Sequence, residues 1–255
     1  MDKQTEEMLQ KIEDAEYVLV GLGQEFDMEI FLQSIGDYRR IREQLQQQNV
    51  LWLLPYVEEQ FRRQYLPELE EEIERGLLNL AKVLEKKSYF VVSSSLNHKL
   101  AEIPWKKMLL KKERFVAPCG SWTKKQCPDG CEEGIQTVTE ADEEQLQECF
   151  KNLLHNGFSI PDLGKCPKCG KQLLLNNVYA GEYDEKGYLK NWTDYQTWLQ
   201  NTLNHKMVLL EIGEGDRFPT IIRSPFERIA LFQQKADLYC IDGEQNPIAW
   251  LLSLC

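Results

Sequence analysis

Cys127-Pro128-Asp129-Gly130-Cys131 and Cys166-Pro167-Lys168-Cys169-Gly170 are two close cysteine pairs set among turn-forming residues. Proline and glycine at these places bend the backbone so that the thiols of each pair come together. Thiolates are soft donors to Zn²⁺, and two such pairs close a tetrahedral site with little rearrangement. Four sulfurs leave no open coordination position, so the expected site of Cys127, Cys131, Cys166 and Cys169 is structural rather than catalytic. The alternative is four ordinary buried cysteines or two disulfides. Segment 132–165 is longer than a minimal ribbon needs, so the module carries an insertion of its own.

The chain has 255 residues, 42% of them hydrophobic and 28% charged, which suits one large core with a small satellite module. Met1-Asp2-Lys3-Gln4 leads into acidic and amide residues with no apolar leader, and no apolar run reaches membrane-spanning length. The expected setting is the cytoplasm, with no membrane partner, where reduced thiols favour metal over disulfide. A formal net charge of −11 speaks against a nucleic-acid partner, because neutralising phosphates takes a surplus of Lys and Arg. The basic clusters Lys106-Lys107…Lys111-Lys112 and Arg62-Arg63 read as solvated faces.

Outward from the cysteines, Tyr17-Val18-Leu19-Val20, Tyr89-Phe90-Val91-Val92, Met207-Val208-Leu209-Leu210-Glu211-Ile212 and Asp237-Leu238-Tyr239-Cys240-Ile241 read as buried strands, with Arg114-Phe115-Val116 a weaker one. A polar helix is expected over 3–14 and a helical insertion over about 27–87. The clearest helical spacing there is Leu69, Ile73, Leu77, Leu80 and Leu84, with Pro67 in the first turn. Further helices are expected at 141–154, from a capping box at Thr193-Asp194-Tyr195-Gln196 through Leu203, and near 220–231. Strands alternating with helices imply an α/β fold with a doubly wound parallel sheet. Residues 1–115 and 183–255 would form that domain, interrupted by a small zinc-binding domain over 116–182.

Ligands of open α/β sheets bind beyond the carboxyl ends of the strands. Gly21-Leu22-Gly23, Ser93–His98, Gly213-Glu214-Gly215 and Asp242-Gly243 fall at those ends. Glycine lets backbone approach a phosphate closely, and Asp242 is suited to a ribose. The third glycine of the usual fingerprint is absent from both glycine loops, where Phe26 and Phe218 stand.

Taken in order, these segments resemble the sirtuins, NAD-dependent protein deacylases with a Rossmann-like sheet and an inserted zinc ribbon. Gly21-Leu22-Gly23 stands where the family has Gly-Ala-Gly, and Ser93-Ser94-Ser95-Leu96-Asn97 where it has Thr-Gln-Asn-Ile-Asp. Cys119-Gly120-Ser121 occupies the place of His-Gly-Ser, at the family's spacing before the first zinc cysteine. Val178-Tyr179-Ala180-Gly181-Glu182 is similar to the strand that pairs with the substrate peptide. The stretch from Leu210 to Phe226 is closer to a microbial, macrodomain-linked subgroup, some of which transfers ADP-ribose. The resemblance implies NAD or ADP-ribose contacts at Gly21, Leu22, Gly23, Ser95, Asn97, Gly213, Gly215 and Asp242. It also implies substrate contacts at Val178, Tyr179, Gly181 and Glu182, and an acylated or ADP-ribosylated protein as partner.

The departures concentrate where the family's chemistry lies. Cys119 replaces the histidine base, and a thiol near its free pKa of about 8.5 is mostly protonated at neutral pH. Ser95 and Asn97 replace the asparagine and aspartate that position nicotinamide, and Leu22 adds bulk beside the first glycine loop. His98, one residue past Asn97, is the histidine nearest that segment in the chain. The favoured expectation is therefore a degenerate sirtuin-like protein that keeps its zinc and an NAD or ADP-ribose pocket with weak or no deacylase activity. The alternative is an active deacylase or ADP-ribosyltransferase in which Cys119 or His98 serves as base.

Overall fold

Strands that are apolar along their whole length need cover on both faces, and the chain supplies it with helices. The computed structural model describes residues 3–102, 112–131, 134–243 and 245–254. Helix α1 (Lys3–Asp14) leads to β1 (Tyr17–Leu22), followed by α2 (Glu29–Leu32), α3 (Gly36–Gln47), α4 (Leu54–Tyr65) and α5 (Pro67–Leu84). Next come β2 (Ser88–Ser93), β3 (Phe115–Val116), β4 (Gly120–Gln126), β5 (Gln136–Thr137), α6 (Glu140–Leu154) and β6 (Leu174–Asn177). The chain continues with α7 (Leu189–Gln200), β7 (Met207–Ile212), α8 (Arg223–Phe232), β8 (Ala236–Ile241) and α9 (Pro247–Leu252). Five strands form one parallel sheet in the order β3-β2-β1-β7-β8, and β5-β4-β6 form a small antiparallel sheet. Strand order reverses at β1, which opens a crevice at the carboxyl ends of β1 and β7.

Alternation along the strands divides the core. Val18, Val20 and Leu22 of β1 and Val208, Leu210 and Ile212 of β7 point towards α1, α5 and α9. Leu19, Phe90, Val92 and Leu209 point the other way, onto Tyr195 and Trp198 of α7 and Ile222 and Phe226 of α8. A third core joins α3 and α4 to the cysteine module, where Tyr38, Phe61 and Trp122 pack with Leu146, Cys149 and Phe150 of α6. The helical insertion is thus shared between two cores, with α5 against the sheet and α3–α4 against the module.

Several local expectations change. β1 runs on through Leu22, whose side chain is buried in the core rather than set beside a loop. Helix α7 starts at Leu189 and ends at Gln200, so Thr193 is interior and its hydroxyl donates to the Leu189 carbonyl at 3.0 Å. The capping box belongs to α6 instead, where Thr139 and Asp142 bond reciprocally. Arg62 is not on a solvated face: it is 1% exposed, with Nε donating to Glu70 at 3.1 Å and Nη1 to the Asp27 carbonyl at 3.3 Å. Lys106, Lys107 and Lys111 lie outside the described residues. Helix α9 was not anticipated. Its start is written in Asn246-Pro247, with the Asn246 side chain accepting from the amides of Ile248 and Ala249. Among the described residues no helix is long and apolar enough to cross a membrane.

Helix α9 docks where α5 carries Gly76, at which an added Cβ would lie 2.7 Å from Cβ of Leu251. Gly76→Val should therefore lower the urea midpoint, by about 1–3 kcal/mol of stability. Gly36→Ala, at a position with nothing within 4 Å, should not.

Candidate functional site

The sulfurs of Cys127, Cys131, Cys166 and Cys169 all lie within 4.8 Å of one another. Tetrahedral zinc with bonds of about 2.3 Å would hold sulfurs roughly 3.8 Å apart, and Cys127 Sγ lies 3.5 Å from Cys169 Sγ. Left-handed Gly130 and Gly170 make the two turns. The Asp129 amide donates to Cys127 Sγ at 3.4 Å. At Cys166, backbone N–H groups of Cys169 and then Lys168 lower the thiol pKa to about 7. Donor set, spacing and thiolate stabilisation all suit structural zinc, and the four cysteines predicted together are together.

At the strand ends the two glycine loops lie directly against each other. The Gly23 amide donates to the Ile212 carbonyl at 2.8 Å and the Glu25 amide to the Gly213 carbonyl at 2.9 Å. A Cβ on Gly23 would lie 2.2 Å from the Gly213 oxygen, so the missing side chain admits neighbouring backbone. Gly21 is likewise filled from outside, since a Cβ there would meet Ile222 Cγ2 at 2.4 Å. Gly213 has φ of 64°, and Gly215 lies beside the Gln24 side chain. Between the loops Glu214 is buried, with Oε2 accepting from Ser94 Oγ at 2.6 Å and Oε1 without a partner. Burial raises its pKa to about 7. Asp242 is exposed just past β8.

The segment after β2 is organised around Asp27, a residue the sequence reading passed over. Its Oδ1 accepts from the amides of Leu96 (2.9 Å) and Asn97 (3.2 Å) and from Ser95 Oγ (2.5 Å). Oδ2 pairs with Arg217, which also donates to Glu29 and to the Tyr179 hydroxyl at 3.0 Å each. The Asn97 side chain is spent within the chain too, donating to the Phe26 carbonyl at 3.3 Å and accepting from the Lys99 amide at 3.1 Å. Nearby, Glu58 accepts from Tyr38 at 2.8 Å, and burial together with the Asp27 charge raises its pKa to about 7.

Cys119 is fully buried, and desolvation first, then the Asp27 charge, push its thiol far above the ordinary range. His98 stands differently. With Ser121 and Asn191 it lines a cavity of about 190 Å³, and its Nδ1 lies 2.5 Å from Glu59 Oε2. Trp122 Nε1 donates to the same oxygen at 2.5 Å, and Arg63 pairs with the other. Burial opposes the Glu59 charge, but the His98 contact, the Arg63 charge and the Trp122 hydrogen bond together outweigh it and lower the pKa to about 2. Residues 178–182 form a turn and not a strand. Asn177 causes this, its Oδ1 accepting from the Tyr179 amide and its carbonyl from the Ala180 amide. Val178 donates its amide to the Cys119 carbonyl at 3.0 Å, while Gly181 and Glu182 are exposed.

No protein-family model matches the chain, and no curated protein does. Solved structures do. One, from work on the structural basis of sirtuin substrate affinity, superposes with a TM-score of 0.51 at 13% identity over 97% of this chain and 88% of that one. A Sir2 homologue mutant in complex with ADP-ribose gives 0.51 at 13% identity, covering 100% and 95%. At this identity the likeness establishes a sirtuin-like fold.

Purified protein should carry one zinc per chain, and a strong chelator should unfold the cysteine module, because metal binding there is folding free energy. Metal analysis finding no zinc while all four thiols are free would overturn this. Glu214 gives a second expectation. Its folded pKa is raised, so its contribution to stability is full below the unfolded value near 4.5 and is lost as pH rises through about 7. At about 1.4 kcal/mol per pKa unit the loss is on the order of 3 kcal/mol. Glu214→Gln should flatten the fall in urea stability between those pH values, and an unchanged slope would refute the assignment.

Proposed function

We propose that this chain is a degenerate sirtuin-like protein, a binding module on a sirtuin fold that keeps structural zinc and does not carry out NAD-dependent deacylation. The observation that carries the reading is the commitment of Ser95, Leu96 and Asn97 to Asp27 and to their own backbone. In the family resemblance this segment orients nicotinamide, and here its donors are already consumed. Cys119 adds support, since a fully buried thiol with a raised pKa cannot take a proton from a ribose hydroxyl. The residues present do not fit a pyrophosphate either. The Gly23 loop rests on Gly213 and Glu214, so backbone and a buried carboxylate stand where a phosphate would need open glycine and free N–H groups.

A second reading is favoured by His98, which lines a cavity and has a carboxylate to fix its ring, the arrangement expected of a general base. In that reading the chain is an active deacylase or ADP-ribosyltransferase with a non-standard base, acting on an acylated or ADP-ribosylated protein.

Nicotinamide release from NAD by pure zinc-loaded protein, with and without an acetylated peptide, separates the two. The expected result is no release above the uncatalysed background. Cys119→His alone should not restore it: a general base is worth about 10²–10⁴-fold, but the orienting groups stay occupied. Brisk release by the unmodified chain, abolished by His98→Ala, would establish the second reading instead.

A further inference from the structure

Beyond the glycine loops, at the carboxyl ends of β1, β7 and β8, lies a cavity of about 620 Å³, within the size range of small-ligand sites. Its walls are apolar, built from Phe26, Met28, Ile30, Phe31, Leu69 and Ile248. Ile30 is 92% exposed and Phe31 41%, so large side chains stand in water at the mouth. No Lys or Arg lines the cavity among the described residues, but Glu25 and Glu29 do. Glu29 is neutralised by Arg42 and Arg217. Glu25 is half-buried and, among the described residues, has no cation paired with it, only the Gly243 amide donating to Oε1 at 3.2 Å. Burial, and then the Asp242 charge, disfavour its ionised form.

Gln24 stands on the inner wall of the same cavity. It is 8% exposed, its Oε1 accepts from the Arg217 amide at 3.0 Å, and its Nε2 has no partner. A buried donor left unpaired costs about 1–3 kcal/mol unless something accepts from it. Nε2 is sealed from the cavity, so the polar position open to a ligand on this wall is the Glu25 carboxylate, set against an apolar body.

We infer that this cavity binds a primary ammonium carrying an apolar side chain, the ammonium on Glu25 and the side chain on the Phe31–Ile248 wall. The inference rests on the reading that the crevice is not a dinucleotide site, since a site of this charge repels phosphate. The same chemistry occurs in a free aminoacyl amide and in the amino-terminal residue of an apolar peptide.

Titration calorimetry on the zinc-loaded chain tests it with three probes: phenylalaninamide, its N-acetyl derivative, and a tetrapeptide beginning with Phe. Phenylalaninamide should bind saturably, and acetylation, which removes the charge, should weaken it about tenfold or more. Tighter binding of the tetrapeptide would assign the site to protein amino termini, and tighter binding of the amide to free small molecules. Glu25→Gln, which keeps an acceptor for the Gly243 amide, should also lose about tenfold, and Phe31→Ala at the exposed lip should weaken binding with the melting temperature unchanged. Equal affinity for the acetylated and free amines, or no saturation by about 10 mM, would sink the proposal. ADP-ribose binding in a parallel titration counts against the proposed function, and against the amine site only if the two compete.

Discussion

One buried carboxylate holds the strand ends together. Asp27 is fully buried, and a charge in that position persists only if dipoles and an opposite charge surround it. The chain brings those from three places: the Leu96 and Asn97 amides and Ser95 hydroxyl from the loop after β2, Arg217 from beyond β7, and Arg62 of α4 on the Asp27 carbonyl. Removing the carboxylate would take the acceptor from the buried Leu96 amide and Ser95 hydroxyl and leave Arg217 with Glu29 alone as its carboxylate partner, a costly polar loss in a dry site. The central and distal loops are thus tied to one side chain, while the backbone carbonyl of the same residue receives Arg62 from the helical insertion.

That closure changes what the crevice can recognise. Anion sites at strand ends depend on free backbone N–H groups and glycines with open space before them. Here the N–H groups face Asp27, Gly23 faces the Gly213 carbonyl, and Glu214 sits in the gap. Glu58, Glu214 and Glu25 all have raised pKa values with burial as the leading cause, so the region is short of water, and its arginines Arg62, Arg217 and Arg223 are already paired with carboxylates. On the proposed reading, a crevice of this kind would favour cations over phosphates.

What could be seen in the sequence divides along the range of the interactions. The cysteine pairs, the apolar strands and the α5 spacing from Leu69 to Leu84 are local patterns, and each appears where its spacing implied. The α6 face of Leu146, Cys149, Phe150 and Leu153 is buried for the same reason. Thr193-Asp194-Tyr195-Gln196 has the form of a cap, but Tyr188, Trp192 and Tyr195 pack edge-on and tilted along one face, and the helix begins at Leu189. Residues 178–182 look like a strand until the Asn177 side chain is seen folding them into a turn. Asp27 and Arg217 carried no local signal, since their hydrogen-bond partners lie 35 or more residues away in the chain, and Glu59 shows locally only its Arg63 pair and not His98 or Trp122. Arg62 looked like surface for the same reason, because nothing near it in sequence announces Asp27.

The cysteine module reaches the candidate site through direct contacts. β4 ends at Gln126, immediately before Cys127, and Cys127 and Cys166 are buried in the core that also contains Phe61 and Trp122. Trp122 on β4 donates to Glu59 of α4, and Glu59 holds His98 at the cavity wall. Order in the module therefore fixes β4, β4 fixes Trp122, and Trp122 with Glu59 fixes the orientation of His98. A closed Cys₄ site contributes no chemistry of its own, yet its folding free energy is spent on the wall of the cavity. Whatever occupies that cavity, its fit depends on thiolates at the far end of the same strand.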